Sequence, residues 1–461
     1  MFKKIRTKSL NHLIQCCLST LLLTTAHCAA QDEFFSTINI DVPKTKSSNY
    51  SVIGWITQSA SYGLEQPSHL FSRTDSELNG LQSSLFIQAD GKFSDELKFR
   101  VSGKYYHDPI YQIKSDAPHS IEERNQLRNR LEIRDFYFDY QAENGLYFKV
   151  GNQILAWGLS EYIRVTDQIN VEDQFAIAQQ DLEDLRLPAP AALMSYRLKD
   201  WLIDTVVTYD ADRNQIAPEG DEFDQFAQLR NIGFALNRQE TKNRSEGFIR
   251  LSTQLSSGDL QIVAGEFNDN NLSVEDIDMR GLAQPSLNFN QNRMRMIGAA
   301  ANWVEGAWLF YGELGTHYGV TVRPNAESFF NQLNGWDQKD QTLAVAGVEY
   351  NGFSNLLLSL EIDSIHTKNH NSFMQAPSDQ ISLGTRFNWT DLNQRLRITG
   401  VWNKLANNWG SVSRLSIDYN WSDNLDLGFL FVGYSASQNS VFYEFRNNDV
   451  VQLQMRYNFQ I

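Results

Sequence analysis

From about residue 50 onward the chain alternates between apolar and polar positions. In LKFRVSGKYY, Leu97, Phe99, Val101, Gly103 and Tyr105 share one face, while Lys98, Arg100, Ser102 and Lys104 take the other. At the C-terminal end Val451, Leu453, Met455, Tyr457, Phe459 and Ile461 alternate with Gln452, Gln454, Arg456, Asn458 and Gln460. A period of two predicts strands with one face in an apolar medium and one in water. About eighteen such segments (16–18) run along the chain.

The connections between them are alternately short and long. Short turns fall at ADGKFSDE, QAENG, RLKDW, LSSGD, VEGA, YNGFSN, TDLNQ and NWSDN, most with the Gly, Asn or Asp that tight hairpins need. Longer segments lie at roughly 63–79, 108–128, 154–189, 211–244, 269–292, 318–340, 367–379 and 436–447, with 405–408 the short exception. This layout predicts an all-β fold, a transmembrane antiparallel β-barrel with short periplasmic turns and long extracellular loops. Both termini then fall on the periplasmic side. Closure follows from the solvent, because lipid offers no partner to an open sheet edge. Trp55, Tyr140, Tyr147, Trp201, Trp303, Trp308, Trp389, Trp421 and Tyr457 stand near strand ends, where interfacial girdles belong. The chain ends on Ile461, so Phe459 is the aromatic nearest the end for the barrel-assembly machinery to read.

Composition adds a leader and a compartment. Lys3, Lys4, Arg6 and Lys8 precede the apolar LIQCCLSTLLLTT and the small-residue AHCAA, the pattern of a signal peptide over 1–30. Residues 31–49 form an N-terminal periplasmic extension and 50–461 the outer-membrane barrel. Cys28 admits a lipoprotein site, although TAHC lacks the usual Leu. Cys16, Cys17 and Cys28 are the three cysteines, so the chain beyond the leader has no thiol for a disulfide or a cysteine metal site. No apolar run of eighteen residues follows the leader. Without the four basic residues of the leader the balance is 36 − 55 = −19, which argues against nucleic acid as a partner.

If the apolar faces look at lipid, the alternate positions line the lumen. Lys98, Arg100, Arg250, Arg293, Arg295, Arg386, Arg395, Arg397, Arg414 and Arg456 fall on that phase, with the acids Glu132, Asp204, Glu361, Asp363, Asp418 and Asp426. They form either a basic ladder that attracts anions or pairs such as Arg397–Asp418 that stiffen the wall. Catalytic chemistry has little support. His69, His107, His119, His317, His366 and His370 all lie in or beside expected loops. HTKNH lacks the Glu of a metalloprotease helix, and His107-Asp108 has no nucleophile to serve. No enzyme, cofactor or metal is expected.

One segment does not fit the alternation. VGNQILAWGLSEYIRVTDQIN leaves a strand at Trp157-Gly158, and NVEDQFAIAQQDLEDL follows with Val171, Phe175, Ala178, Leu182 and Leu185 at helical spacing. Asn170 suits an N-cap there, and Glu172 and Asp173 suit a first turn. The expectation is an amphipathic helix in the 154–189 loop, folded into the lumen as a plug or constriction, the alternative being a helix packed outside on the barrel rim.

Gly151, Gln153, Trp157, Gly158, Asn170 and Asp173 also carry a resemblance. They resemble the motif Gly-Arg-Gln, Trp-Gly-Glu, Asn-Pro-x-Asp of the proteobacterial domain-of-unknown-function family thirteen-oh-two. Asn152, Leu159 and Val171 depart from it, and LRLPAPAALMSYRL resembles the segment that follows. The resemblance implies a porin-like outer-membrane barrel, often encoded beside MmpL-like RND pumps and a periplasmic lipid carrier. The partners it implies are that carrier and pump, beside outer-membrane lipid, lipopolysaccharide and the assembly machinery. Three functions stay open: a conduit for lipid-like or hydrophobic cargo, a diffusion porin for small polar or anionic solutes, and a non-conducting surface barrel.

Overall fold

The structure, a computed structural model, describes residues 49–65, 78–113, 121–160, 162–180, 182–210, 212–219, 221–231, 233–239, 244–278, 285–325, 336–391, 393–406, 410–437, 440 and 443–461. The expected leader, the extension up to residue 48, His69 and His119 lie outside the described residues.

Eighteen strands form the wall. They are β1 (Tyr50–Gly63), β2 (Ser83–Lys92), β3 (Leu97–His107), β4 (Asn129–Gln141), β5 (Leu146–Gln153) and β6 (Ala189–Leu198). The ring continues with β7 (Trp201–Thr208), β8 (Glu246–Leu255), β9 (Gly258–Asn268), β10 (Arg293–Glu305), β11 (Trp308–Thr321) and β12 (Gln338–Phe353). It finishes with β13 (Leu356–Thr367), β14 (Asp379–Asp391), β15 (Leu396–Leu405), β16 (Gly410–Ser422), β17 (Leu425–Ala436) and β18 (Val450–Gln460). Each pairs antiparallel with its sequence neighbours, and β18 closes on β1 from Ile53↔Gln460 to Gly63↔Val450. The strand count, the eight tight turns and the alternation of short and long connections are those the pattern predicts. Gly145, Lys199, Gly306, Asn393 and Gln394 adopt positive φ in the tight turns. Both described ends lie at this short-turn end, where Tyr50 faces Gly91 and Gln460 faces Ile53.

Apolar side chains cover the outside, with Leu131 74 % and Ile133 66 % exposed. Tyr140, Trp201, Trp303, Trp308, Trp421 and Tyr457 are exposed there too, as a girdle requires. Two expected girdle residues turn inward instead. Trp55 stacks on Phe86 at 4.0 Å with the Arg456 guanidinium 5.2 Å from its ring, on the phase of buried Thr57. Tyr147 packs against the lumen cluster around Trp157.

Two of the irregularities in the wall fall at β4. A bulge places Arg134 and Asp135 opposite Ser102, whose hydroxyl accepts the Asp135 N–H at 2.9 Å. The extra residue flips the alternation, so Arg130, Glu132 and Arg134 face in above it while Leu131, Ile133, Phe136 and Phe138 face out. Above the bulge the wall is also unpaired. β4 pairs with β5 only from Phe136↔Asn152 to Gln141↔Tyr147, so among the described residues Asn129 to Asp135 have no strand partner on that side.

Candidate functional site

The 154–188 connection enters the lumen and crosses it. Its exit is set by Gly151, whose φ of 133° belongs to the left-handed region and whose missing Cβ would collide with the Phe136 carbonyl oxygen. Gln153, fully buried, donates its amide to the Ala191 carbonyl at 2.9 Å and so ties β5 to β6 at the turning point. Trp157 then drops into an apolar cluster with Leu155, Ile169, Ala191, Leu193, Val206, Phe248, Val263, Phe267, Met294 and Met296. The Arg250 guanidinium lies 4.7 Å from its ring and binds Asp204 at 2.6 Å. Burying an indole of ~200 Å² at ~25 cal/mol/Å² stabilises this seating by about 5 kcal/mol.

Beyond Trp157 the chain is clamped to the opposite wall. Glu313 on β11 accepts the Leu159 N–H at 2.5 Å, the Ser160 N–H at 2.7 Å and the Thr166 hydroxyl at 2.7 Å. Glu361 on β13, also fully buried, accepts the Ser160 hydroxyl at 2.5 Å and the Tyr311 hydroxyl at 2.7 Å. His317 lies 2.8 Å from the Val165 carbonyl. Small residues make room for these contacts. Thr166 sits over Gly298, Val165 over Gly315 and the Tyr162 ring over Gly384, where side chains would collide.

The returning chain is pinned by Asn170, which has no exposed surface. Its Oδ1 accepts the Leu155 N–H at 2.7 Å, and its Nδ2 donates to the Gln153 carbonyl at 3.0 Å and the Leu187 carbonyl at 2.9 Å. One side chain thus joins the entering strand, the loop and the leaving strand. The acidic stretch then meets a basic wall. Asp173 binds Arg130 at 2.9 Å and Asp184 binds Lys104 at 2.5 Å, while within the loop Asp167 binds Arg186 at 2.7 Å. Arg130 stacks over Phe175 at 4.7 Å and binds Glu132 at 2.8 Å. At a third wall the Tyr434 hydroxyl of β17 donates to the Ile177 carbonyl.

The expected inward fold of this loop is therefore present, but the expected long helix is not. Only Leu182–Leu185 is helical, Asp173–Gln174 pairs parallel with Gln215–Ile216, and Ala178 has a φ of 62°. The apolar residues serve separate walls rather than one helix face: Val171 is buried beneath β6, Phe175 lies under Arg130, and Ala178 packs toward β17. Asn170 holds backbone across three segments and caps no helix.

Connections from other strands cover the loop end. Phe223 packs 5.8 Å from Tyr434 and 5.5 Å from Phe445, and Asn448 donates to the Glu222 carbonyl at 2.7 Å. Asp449 accepts the Tyr434 N–H at 2.7 Å, and burial pushes its carboxyl up from the ordinary range. Ala235–Arg238, Ser286–Asn290 and Ser273–Asp278 form a small separate sheet around Leu287 and Phe289.

Of the expected lumen cations, Arg100, Arg250, Arg386, Arg397, Arg414 and Arg456 share the phase of inward neighbours in their strands. Arg295 does not. It is 72 % exposed on the phase of lipid-facing Ile297, bound with Arg293 to Glu266. In RMRM the methionines face inward because the crossing loop makes the lumen apolar there. Pairing is common lower down: Arg100 binds Asp90 at 2.6 Å and Arg386 binds Glu349 at 2.8 Å. The histidines do not converge. His366 binds Asp379 at 2.7 Å, His370 meets the Ala376 carbonyl at 3.0 Å, and His107 meets Asn129 at 2.8 Å. Among the described residues no group of three His, Cys, Asp or Glu side chains is placed to hold a metal.

Sequence reading singled out the six motif residues but missed their receptors, Glu313, His317, Lys104, Arg130, Arg134 and Tyr434. Glu361 stood out only as an inward acid, and inward acids on strands of one side of the ring opposite a polar loop were the available signal.

Solved structures share this architecture. The outer membrane protein opdK from Pseudomonas aeruginosa aligns with a TM-score of 0.50 at 8 % identity, covering 89 % of this chain and 99 % of its own. Acinetobacter baumannii OccAB3 aligns at 0.53 and 9 %, covering 90 % and 100 %, and OccAB2 at 0.51 and 10 %, covering 90 % and 98 %. Likeness at such identity speaks for the fold alone. No curated protein matches the sequence. The family model described as protein of unknown function, DUF1302, matches residues 12–460, so the chain belongs to that family and is an outer-membrane β-barrel of porin-like fold.

Proposed function

We propose that this barrel is a gated conduit for lipid-like or hydrophobic cargo in the outer membrane, rather than an open diffusion pore. The observation that carries the reading is the 154–188 loop, clamped to β4, β11, β13 and β17 across the lumen. Eighteen strands without a plug leave an aqueous channel. Here the crossing chain buries Trp157, Asn170 and Gln153 at 0–3 % exposure, as a folded core does and a mobile eyelet does not. The tight turns and both chain ends face the periplasm in this reading, where a lipid carrier and an RND-type pump deliver cargo, as the family resemblance implies.

The competing reading, a porin for polar or anionic solutes, draws on inward Arg397, Arg414 and Arg456 below the loop. Single-channel recording separates the two. Purified protein in planar bilayers is expected to show no steady ion current, and a deletion of residues 160–185 is expected to open one. A large, permanently open conductance in the intact protein refutes the gated conduit and supports the porin.

A further inference from the structure

The unpaired stretch of β4 lies beside a cavity of about 390 Å³ whose lining includes Asn129, Arg130, Leu131, Phe175, Gln215 and Ile216. These residues belong to opposite sides of the wall. Leu131 faces lipid with 74 % of its surface exposed, whereas Arg130 faces the lumen and binds Asp173 of the crossing loop at 2.9 Å. Because no described strand pairs with β4 from Asn129 to Asp135 on that side, the cavity lies at a breach in the ladder of the wall. An intact wall would place a paired strand there, because an open edge in lipid leaves backbone groups without partners. Below the breach the Asn152 amide donates to the Arg134 carbonyl at 2.8 Å, and the far side is the short pairing of Asp173–Gln174 with Gln215–Ile216.

We propose that this breach is a lateral doorway by which a single-chain amphiphile passes between the barrel interior and the outer leaflet. Its polar head follows Arg130 and the amides of Asn129 and Gln215, while its tail lies along Leu131 and Ile133. The amphipathic lining selects this occupant. A wholly polar solute gains nothing from Leu131 and Phe175, and a wholly apolar one leaves Arg130 and its carboxylate partners desolvated. The doorway rests on the conduit reading, since it supplies the exit that a lumen crossed by a folded loop otherwise lacks.

The test uses full-length protein in liposomes with an NBD-labelled lysophospholipid, its transbilayer movement read by dithionite quenching. No native thiol lies beyond Cys28, so Leu131→Cys with Gln215→Cys gives a unique pair for a cleavable bis-maleimide. Cross-linking is expected to reduce probe movement to that of protein-free liposomes, and cleavage to restore it. Leu131→Trp with Gln215→Trp, which fills the cavity without a cross-link, is expected to do the same. Unchanged movement in the locked and filled proteins overturns the doorway and leaves the conduit standing. No movement with the unmodified protein overturns both. Disulfide-linked dimers through a lone Leu131→Cys substitution also overturn it, because a second copy then occupies the edge.

Discussion

Asn170→Ala is the sharpest test of whether the crossing loop is held by one side chain. Asn170 is fully buried and makes three hydrogen bonds of 2.7 to 3.0 Å, to the Leu155 N–H and the Gln153 and Leu187 carbonyls. Alanine leaves all three backbone groups without that partner. At about 1–3 kcal/mol for each orphaned buried group, the seated loop loses roughly 3–9 kcal/mol. Water entering a loosened loop recovers part of this, so the lower end applies. About 3 kcal/mol moves the seated-to-released equilibrium about a hundredfold. None of these bonds belongs to the ladder of the wall, so the barrel is expected to remain closed, with the heat-modifiable shift of a folded barrel on SDS gels. Planar-bilayer recording is expected to show frequent long openings that the unmodified protein lacks, and limited proteolysis to cut between residues 160 and 185. Asn170→Asp keeps the acceptor for Leu155 but turns a buried carboxylate oxygen toward the Gln153 and Leu187 carbonyls, so it is expected to release the loop at least as far as Asn170→Ala. Silent recordings and an uncut loop in a folded Asn170→Ala barrel would refute the staple.

Three further substitutions probe other parts of the assembly. Gly151→Ala forces a side chain into the Phe136 carbonyl at a φ of 133°, and is expected to lower the temperature of the heat-modifiable transition or prevent insertion. Arg130→Ala leaves Asp173, with its side chain 3 % exposed, without its cation, and leaves Glu132 with Arg134 at 3.7 Å. Its cost of about 3–5 kcal/mol is expected to appear as faster proteolysis of the 170–186 stretch, and wild-type resistance would refute it. Trp157→Ala removes the centre of the lumen cluster at a cost of about 3–5 kcal/mol, read as a lower guanidinium midpoint and raised conductance.

The wall was legible in the sequence because lipid on one side and water on the other write period two directly into each strand. The lumen was less legible, and particular residues show why. Met294 and Met296 read as lipid-facing by the same rule that read Leu453 and Tyr457 correctly, yet they point inward beneath Trp157. Where the crossing loop packs on the wall, both faces of a strand are apolar and the rule loses its sign. The bulge at Arg134 and Asp135 reverses the phase of β4 midway without any Gly or Pro to announce it. In the loop, helical spacing from Val171 to Leu185 was real as a pattern but decided by distant partners. Ser160 finds Glu313 and Glu361, which stand 153 and 201 positions away in the chain. The motif residues were identifiable one by one, whereas their contacts needed the registers of strands not yet paired in any local reading.

The three glycines beneath the loop carry a consequence for biogenesis. Gly298, Gly315 and Gly384 belong to β10, β11 and β14, and all follow the loop they receive in the order of synthesis. Residues 160–166 therefore have no seat until those strands are in place, and Ser160 and Thr166 stay hydrated until then. Their hydration is given up only when half the ring has been added and brought into register. Closing the ring and seating the loop are then joined in time, because a ring that lacks β10, β11 and β14 offers residues 160–166 no receptor.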